Sequence, residues 1–131
     1  MIGHFRRDVT DIGEARRLVG SSLRSWGLGA GAPTLELAVS ELVTNALVHG
    51  EGAVEVQLTA SGTSVRLEVL DQGQDAATPA LRPVSAGEAG GWGLRLVDEV
   101  SDAWGAVTSP TETRVWMEMD VAPPRGSDER P

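Results

Sequence analysis

The sequence has no cysteine, which excludes disulfide bridges and thiolate metal sites and fits a cytoplasmic setting. It has no lysine either, since all eleven basic residues are arginine. No lysine is therefore present to grip a phosphate or to act as an amine nucleophile. The abundance of arginine, alanine and glycine together reads as GC-rich coding composition. No apolar run approaches the roughly 20 residues that cross a bilayer, and the N-terminus lacks a signal-peptide pattern. No membrane association is expected. Positive charge is also scarce: the formal net charge of −8 argues against a nucleic-acid surface, which needs clustered cations. No internal repeat is evident.

What is present is the composition of one globular domain. The 131 residues are 40% hydrophobic and 23% charged, enough apolar material to bury a core and too little charge imbalance for a disordered chain.

The stretch ELVTNALVHG, residues 41 to 50, organises the rest. Glu41, Asn45 and His49 recur every fourth residue, so they drift only about 40° per step around a helix. Leu35, Ala38, Val39, Leu42, Val43 and Ala46 take the opposite, core-facing side. A carboxylate and a carboxamide one turn apart can serve a metal-bound anion. The same spacing is equally that of a solvated helix edge.

Read in order, residues 3 to 8 form a short strand. Thr10 or Asp11 caps a first helix, in which Ile12, Ala15, Leu18, Val19, Leu23 and Trp26 keep the period. Gly27, Gly29 and Gly31 end it, and Pro33 with Thr34 as cap opens the second helix. Gly50 and Gly52 terminate that one. Val54, Val56 and Leu58, then Val65, Leu67 and Val69, alternate as a hairpin around Ser61-Gly62. From Ala76 to Gly90 no period is visible, which predicts a long loop acting as a lid or binding segment. Glycines then open a helix with Leu94, Leu96, Val97 and Val100. Strands at 104 to 109 and 113 to 121 close a domain over 3–121, and residues 122–131 form a tail expected to be disordered.

Two further motifs carry chemistry. Gly90, Gly91 and Gly93 ahead of Leu94 suit a phosphate, because first-turn N–H groups are free and no Cβ intervenes. They also suit a plain flexible loop end. The pattern is neither a P-loop nor a dinucleotide fingerprint. Asp71 at a strand end, followed by Gly73, can accept a hydrogen bond from an exocyclic amine such as adenine's, or can be an ordinary turn.

In this order the motifs resemble the GHKL ATPase superfamily, most closely the bacterial anti-sigma factor serine kinases and their actinobacterial relatives. ELVTNALVHG looks like the N box, VLDQGQD the G1 box and GGWGLRLVDEVSDAWG the G2 box. The resemblance implies an α/β two-layer sandwich of the Bergerat type, with a mixed, mostly antiparallel sheet and helices on one face. It implies ATP and Mg²⁺ as cofactors, with Glu41 as general base and Asn45 holding the metal. Asp71 would read the adenine amine above Gly73, and the backbone at Gly91, Gly93 and Leu94 would cradle phosphates. His49 and Thr113 would stand on the phosphate side. Two departures are Asp75, where the family usually has a small residue, and the stretch Thr111 to Arg114 before the last strand. Trp92 takes a position that varies.

The function implied is an ATP-dependent protein serine/threonine kinase that phosphorylates an anti-anti-sigma-type partner and also engages a sigma factor; a homodimer is compatible with it. The alternative is an ATP-binding regulatory module that sequesters a partner without phosphotransfer. The catalytic half of a histidine kinase is disfavoured, because no dimerisation helix with a phosphoacceptor histidine is present.

Overall fold

The computed structural model describes residues 1–73 and 94–121. Asp75, the loop from 76 to 90, Gly91, Trp92, Gly93 and the tail from 122 lie outside the described residues. The elements run β1 (Ile2–Phe5), α1 (Asp11–Ser25), α2 (Ala32–His49), β2 (Val54–Ser61), β3 (Ser64–Asp71), α3 (Arg95–Val100), β4 (Ala103–Thr108) and β5 (Thr113–Asp120). A single 3₁₀ turn over Gly29–Gly31 joins the first two helices.

The strands form one sheet in the order β1-β2-β3-β5-β4. Where a mixed, mostly antiparallel sheet was expected, every pairing among the described residues is antiparallel. The alternation explains the layering. Val54, Val56, Leu58, Val65, Leu67, Val69, Val115 and Met117 all point to one face and share a core with Val19, Leu23, Leu35, Val39 and Leu42 from the helices. On the other face Arg66 pairs with Glu68 at 3.0 Å and Glu118 at 2.6 Å, and Arg114 with Glu68 at 2.8 Å and Glu112 at 3.1 Å. The Arg66 guanidinium also lies 4.4 Å from the centre of the Trp116 ring. Such a face can stand in water, and the helices cover only its opposite.

Several boundaries differ from the sequence expectation. The first strand ends at Phe5 rather than residue 8, because Arg7 turns left-handed (φ 73°). Neither Thr10 nor Asp11 caps α1 with its side chain. Asp8 organises that turn instead, accepting the Thr10 N–H at 3.0 Å while Asp11 reaches back to the Asp8 N–H at 2.7 Å. On α1, Ala15, Val19 and Leu23 are buried, whereas Leu18 and Trp26 are exposed although they keep the period. Helix α2 starts at Ala32, with Gly31 as its cap and Pro33 in its first turn, where a missing N–H leaves no bond broken. Thr34 is inside the helix, not its cap.

The end of α1 shows why glycine stands where it does. Gly27 is left-handed (φ 77°), its N–H reaches the Arg24 carbonyl at 3.2 Å, and the Leu28 N–H reaches Leu23 at 2.7 Å. This is a Schellman closure, sealed by the buried pair Leu23 and Leu28. A Cβ at Gly27 would meet nothing within 4 Å, so Gly27→Ala isolates the backbone term. A loss of roughly 1 kcal/mol is expected, read as a lower urea midpoint at unchanged slope.

Among the described residues no helix is long and apolar enough to cross a membrane.

Candidate functional site

Helix α2 carries the polar stripe expected of it. Its apolar side packs into the core through Leu35, Ala38, Val39, Leu42, Val43 and Ala46, which fixes the rotation of the helix and therefore the direction of Glu41, Asn45 and His49.

Glu41 is met by α3. Its two carboxylate oxygens accept the backbone N–H groups of Leu96 (3.4 Å) and Val97 (3.2 Å). These are first-turn donors of α3, whose own cap residue, Leu94, gives no side-chain bond. A carboxylate suits them both as an acceptor and against the positive end of the helix. Leu94 itself is buried in the core, so it anchors the start of α3.

One turn along α2, Asn45 is only 6% exposed, yet its Oδ1 finds no hydrogen-bond partner among the described residues. A buried amide oxygen normally has one. His49 is half-buried on the last turn of the same stripe.

The third group gathers at the end of β3. Asp71 is 6% exposed, and its Oδ1 accepts the Gly73 N–H at 2.7 Å. The Glu51 N–H lies close enough to the carboxylate to favour its charged form. Burial pushes the Asp71 carboxyl above the ordinary aspartate value, while the N–H groups of Gly73 and Glu51 and the charge of Arg7 pull it back. Space there is made by glycine: a Cβ at Gly50 would come within 2.3 Å of the Asp71 carboxyl, and one at Gly73 within 2.9 Å of the Glu51 nitrogen. Thr113, opposite Asp71 in the β3–β5 register, is also buried and donates its hydroxyl to the Gly73 carbonyl at 2.8 Å. Asp71, Gly73 and Thr113 are thus one unit, and Gly73 is its common member.

Asp71, Gly73 and Thr113 are brought together, and Glu41 is brought to the helix that Leu94 begins. Gly91 and Gly93 lie outside the described residues. Sequence reasoning missed Gly50, Glu51 and Arg7. The glycine after a helix end was visible, but only as a stop signal. Arg7 gave no signal, because nothing local marks a left-handed arginine. Among the described residues a roomy groove also runs elsewhere, along α1 between Arg17, Arg24 and Glu36, and it holds none of these residues.

The profile of the histidine kinase-like ATPase domain family matches residues 5–119. The chain belongs to that family. The match takes in all three groups just described, from Glu41 to Thr113. Among solved structures, the crystal structure of the RsbU and RsbW domains of Rv1364c from Mycobacterium tuberculosis is similar. It shares the fold with a TM-score of 0.67 at 19% identity, over 95% of this chain and 33% of the other. The chain therefore spans about a third of the length of that protein. No protein of curated function matches the sequence. Membership of this ATPase family implies ATP binding, and the unpaired Asn45 oxygen is a hard ligand of the kind that would suit Mg²⁺.

Proposed function

We propose that this ATPase domain is an ATP-dependent protein serine kinase whose partner is of the anti-anti-sigma type and whose wider role is to hold a sigma factor in check. The observation that carries the nucleotide part is the Asp71 unit. A carboxylate offers about four lone-pair sites; the Gly73 N–H uses one, leaving capacity for the exocyclic amine of adenine. Gly73 beneath it leaves room for a flat ring. The likeness to the RsbW-containing structure and the sequence resemblance to anti-sigma factor kinases support the partner class.

Asn45 would hold Mg²⁺ through its side-chain oxygen. Bound there, the metal would supply positive charge against the phosphates. Leu94 and the glycines before it would present backbone N–H groups to the same phosphates, with His49 on that side. Thr113, whose hydroxyl is bonded to Gly73 opposite Asp71, would stand on the adenine side rather than on the phosphate side expected from the sequence. Glu41 would accept the proton of the partner's serine as its oxygen bonds to the γ-phosphorus. The bond from that phosphorus to the bridging oxygen breaks, and ADP departs with the electron pair.

Calorimetry with ATP in the presence and absence of Mg²⁺ tests the metal. Binding is expected to need Mg²⁺ in the wild type. Asn45→Ala should weaken nucleotide and metal together, about tenfold or more for a lost charge-assisted contact. Equal ATP affinity with and without Mg²⁺ would remove Asn45 from its role.

A second reading has an observation of its own. Glu41 already caps α3 through Leu96 and Val97, which gives the carboxylate a structural occupation without chemistry. On that reading the domain binds ATP and sequesters its partner without transferring phosphate.

A further inference from the structure

Arg7 stands in a conformation that side chains rarely adopt, with φ at 73°. A left-handed arginine costs about 1–2 kcal/mol in backbone energy, so the surrounding contacts must over-determine it. They are specific. The guanidinium passes under the C-terminal end of α2, and its Nη2 donates to the carbonyl of Leu47 at 2.7 Å and to that of Gly50. Both carbonyls lie at the negative end of the helix dipole, where a cation is favoured.

Gly50 then links Arg7 to the adenine-side carboxylate. Its Cα lies against the Asp71 carboxyl so closely that a Cβ would have no room. The next residue, Glu51, turns its N–H to Asp71 and accepts the Gln72 N–H at 2.9 Å. The 50–51 backbone is thus threaded between the arginine and the aspartate, gripped from both sides. We propose that Arg7 is a positioning residue of the nucleotide site, clamping Gly50 and Glu51 so that their backbone orients the Asp71 carboxylate toward the purine. This rests on the nucleotide reading above and extends it to a residue 64 positions away in the chain.

The clamp has an electrostatic side. Charged groups near Asp71 come from the loop after β1, which brings Arg7, and from the connection after α2, which brings Glu51 with the opposite effect. His4, Glu55 and Glu112 line the depression on the strand side of Asp71, and His49 ends α2. Arg7 is the positive group that pulls the Asp71 carboxyl down against its burial.

Two variants separate the clamp from a merely structural arginine. Arg7→Met keeps the length of the stem and removes charge and donors; Arg7→Lys keeps the charge, but its shorter side chain does not carry a nitrogen to where Nη2 meets both carbonyls. Asp71 is followed in the nucleotide-free protein by carbon-13 NMR titration of its carboxyl, and affinity for a nonhydrolysable ATP analogue is followed against pH. Arg7→Met should raise the Asp71 midpoint, carry the acid limb of the binding profile up with it, and lower neutral-pH affinity about tenfold. Arg7→Lys should leave the midpoint near that of the wild type and still weaken binding. An unchanged midpoint and unchanged affinity in folded Arg7→Met overturn the proposal. Should Arg7→Met fail to fold, wild-type affinity in Arg7→Lys overturns it instead. If the wild type binds no nucleotide, the nucleotide reading falls, while the Asp71 titration still decides whether Arg7 acts on that carboxylate.

Discussion

Glu41→Gln is expected to lower phosphotransfer to the partner's serine by about 10² to 10⁴, the usual worth of general-base catalysis, with ATP affinity close to that of the wild type. Glutamine has nearly the shape and helix propensity of glutamate, so α2 keeps its rotation. It no longer takes a proton. Its amide oxygen can keep one of the two N–H bonds from α3, but its NH₂ group meets the other donor with a donor. Thermal stability should therefore fall by the value of one hydrogen bond, about 0.5–1.5 kcal/mol. The two readouts come apart cleanly. If labelled phosphate transfer survives the substitution while only stability drops, Glu41 is a cap and not a base. If the wild type itself transfers nothing to any anti-anti-sigma-type protein, the sequestering module is the better account.

Asp71→Asn should weaken ATP by about 1.5–3 kcal/mol, roughly 10- to 150-fold, as a charge-assisted hydrogen bond is lost. The amide also turns a donor toward the N–H groups that now converge on the carboxylate, so the loss is not confined to the purine. Acidity should mimic the substitution. The Asp71 carboxyl lies above its ordinary value of 3.8, so affinity in the wild type should begin to fall at a pH above the usual aspartate range. Stability runs the other way. The folded state holds this proton more tightly than the unfolded one, so the Asp71 contribution is full below 3.8 and is lost as pH rises through the raised folded-state pKa. Over that window, acidification should favour the fold and weaken the ligand. Calorimetry and thermal melts over one pH series read both. An affinity that does not respond to acid, or an Asn variant that binds like wild type, would remove Asp71 from the site.

Much of this was legible because periodicity encodes it. The four-residue recurrence of Glu41, Asn45 and His49 predicted a polar stripe on a core helix, and α2 has it. Alternation in Val54 to Leu58 and Val65 to Val69 predicted the hairpin, and β2 and β3 pair there. The carboxylate at the end of β3 followed from its place beside a glycine. What escaped depends on contacts between distant segments. Nothing near Glu41 announces that it will meet N–H groups 55 and 56 residues on. Arg7 is one of two adjacent arginines after a short strand, and only the tertiary structure distinguishes it from its neighbour. The start of α2 was displaced for a local reason: three spaced glycines read as a stop, yet the last two shape a 3₁₀ turn that feeds the helix directly.

The unpaired oxygen of Asn45 has a consequence for the life of the protein. Among the described residues it is a buried acceptor without a donor, a defect costing about 1–3 kcal/mol in a molecule whose whole margin is small. An occupant that satisfies it would bind the native state and not the unfolded chain, adding stability in proportion to the logarithm of its concentration. Empty copies would be the ones that open and meet proteases. If the nucleotide and metal proposed above are that occupant, the amount of the protein in a cell would track their supply, with no change in its synthesis.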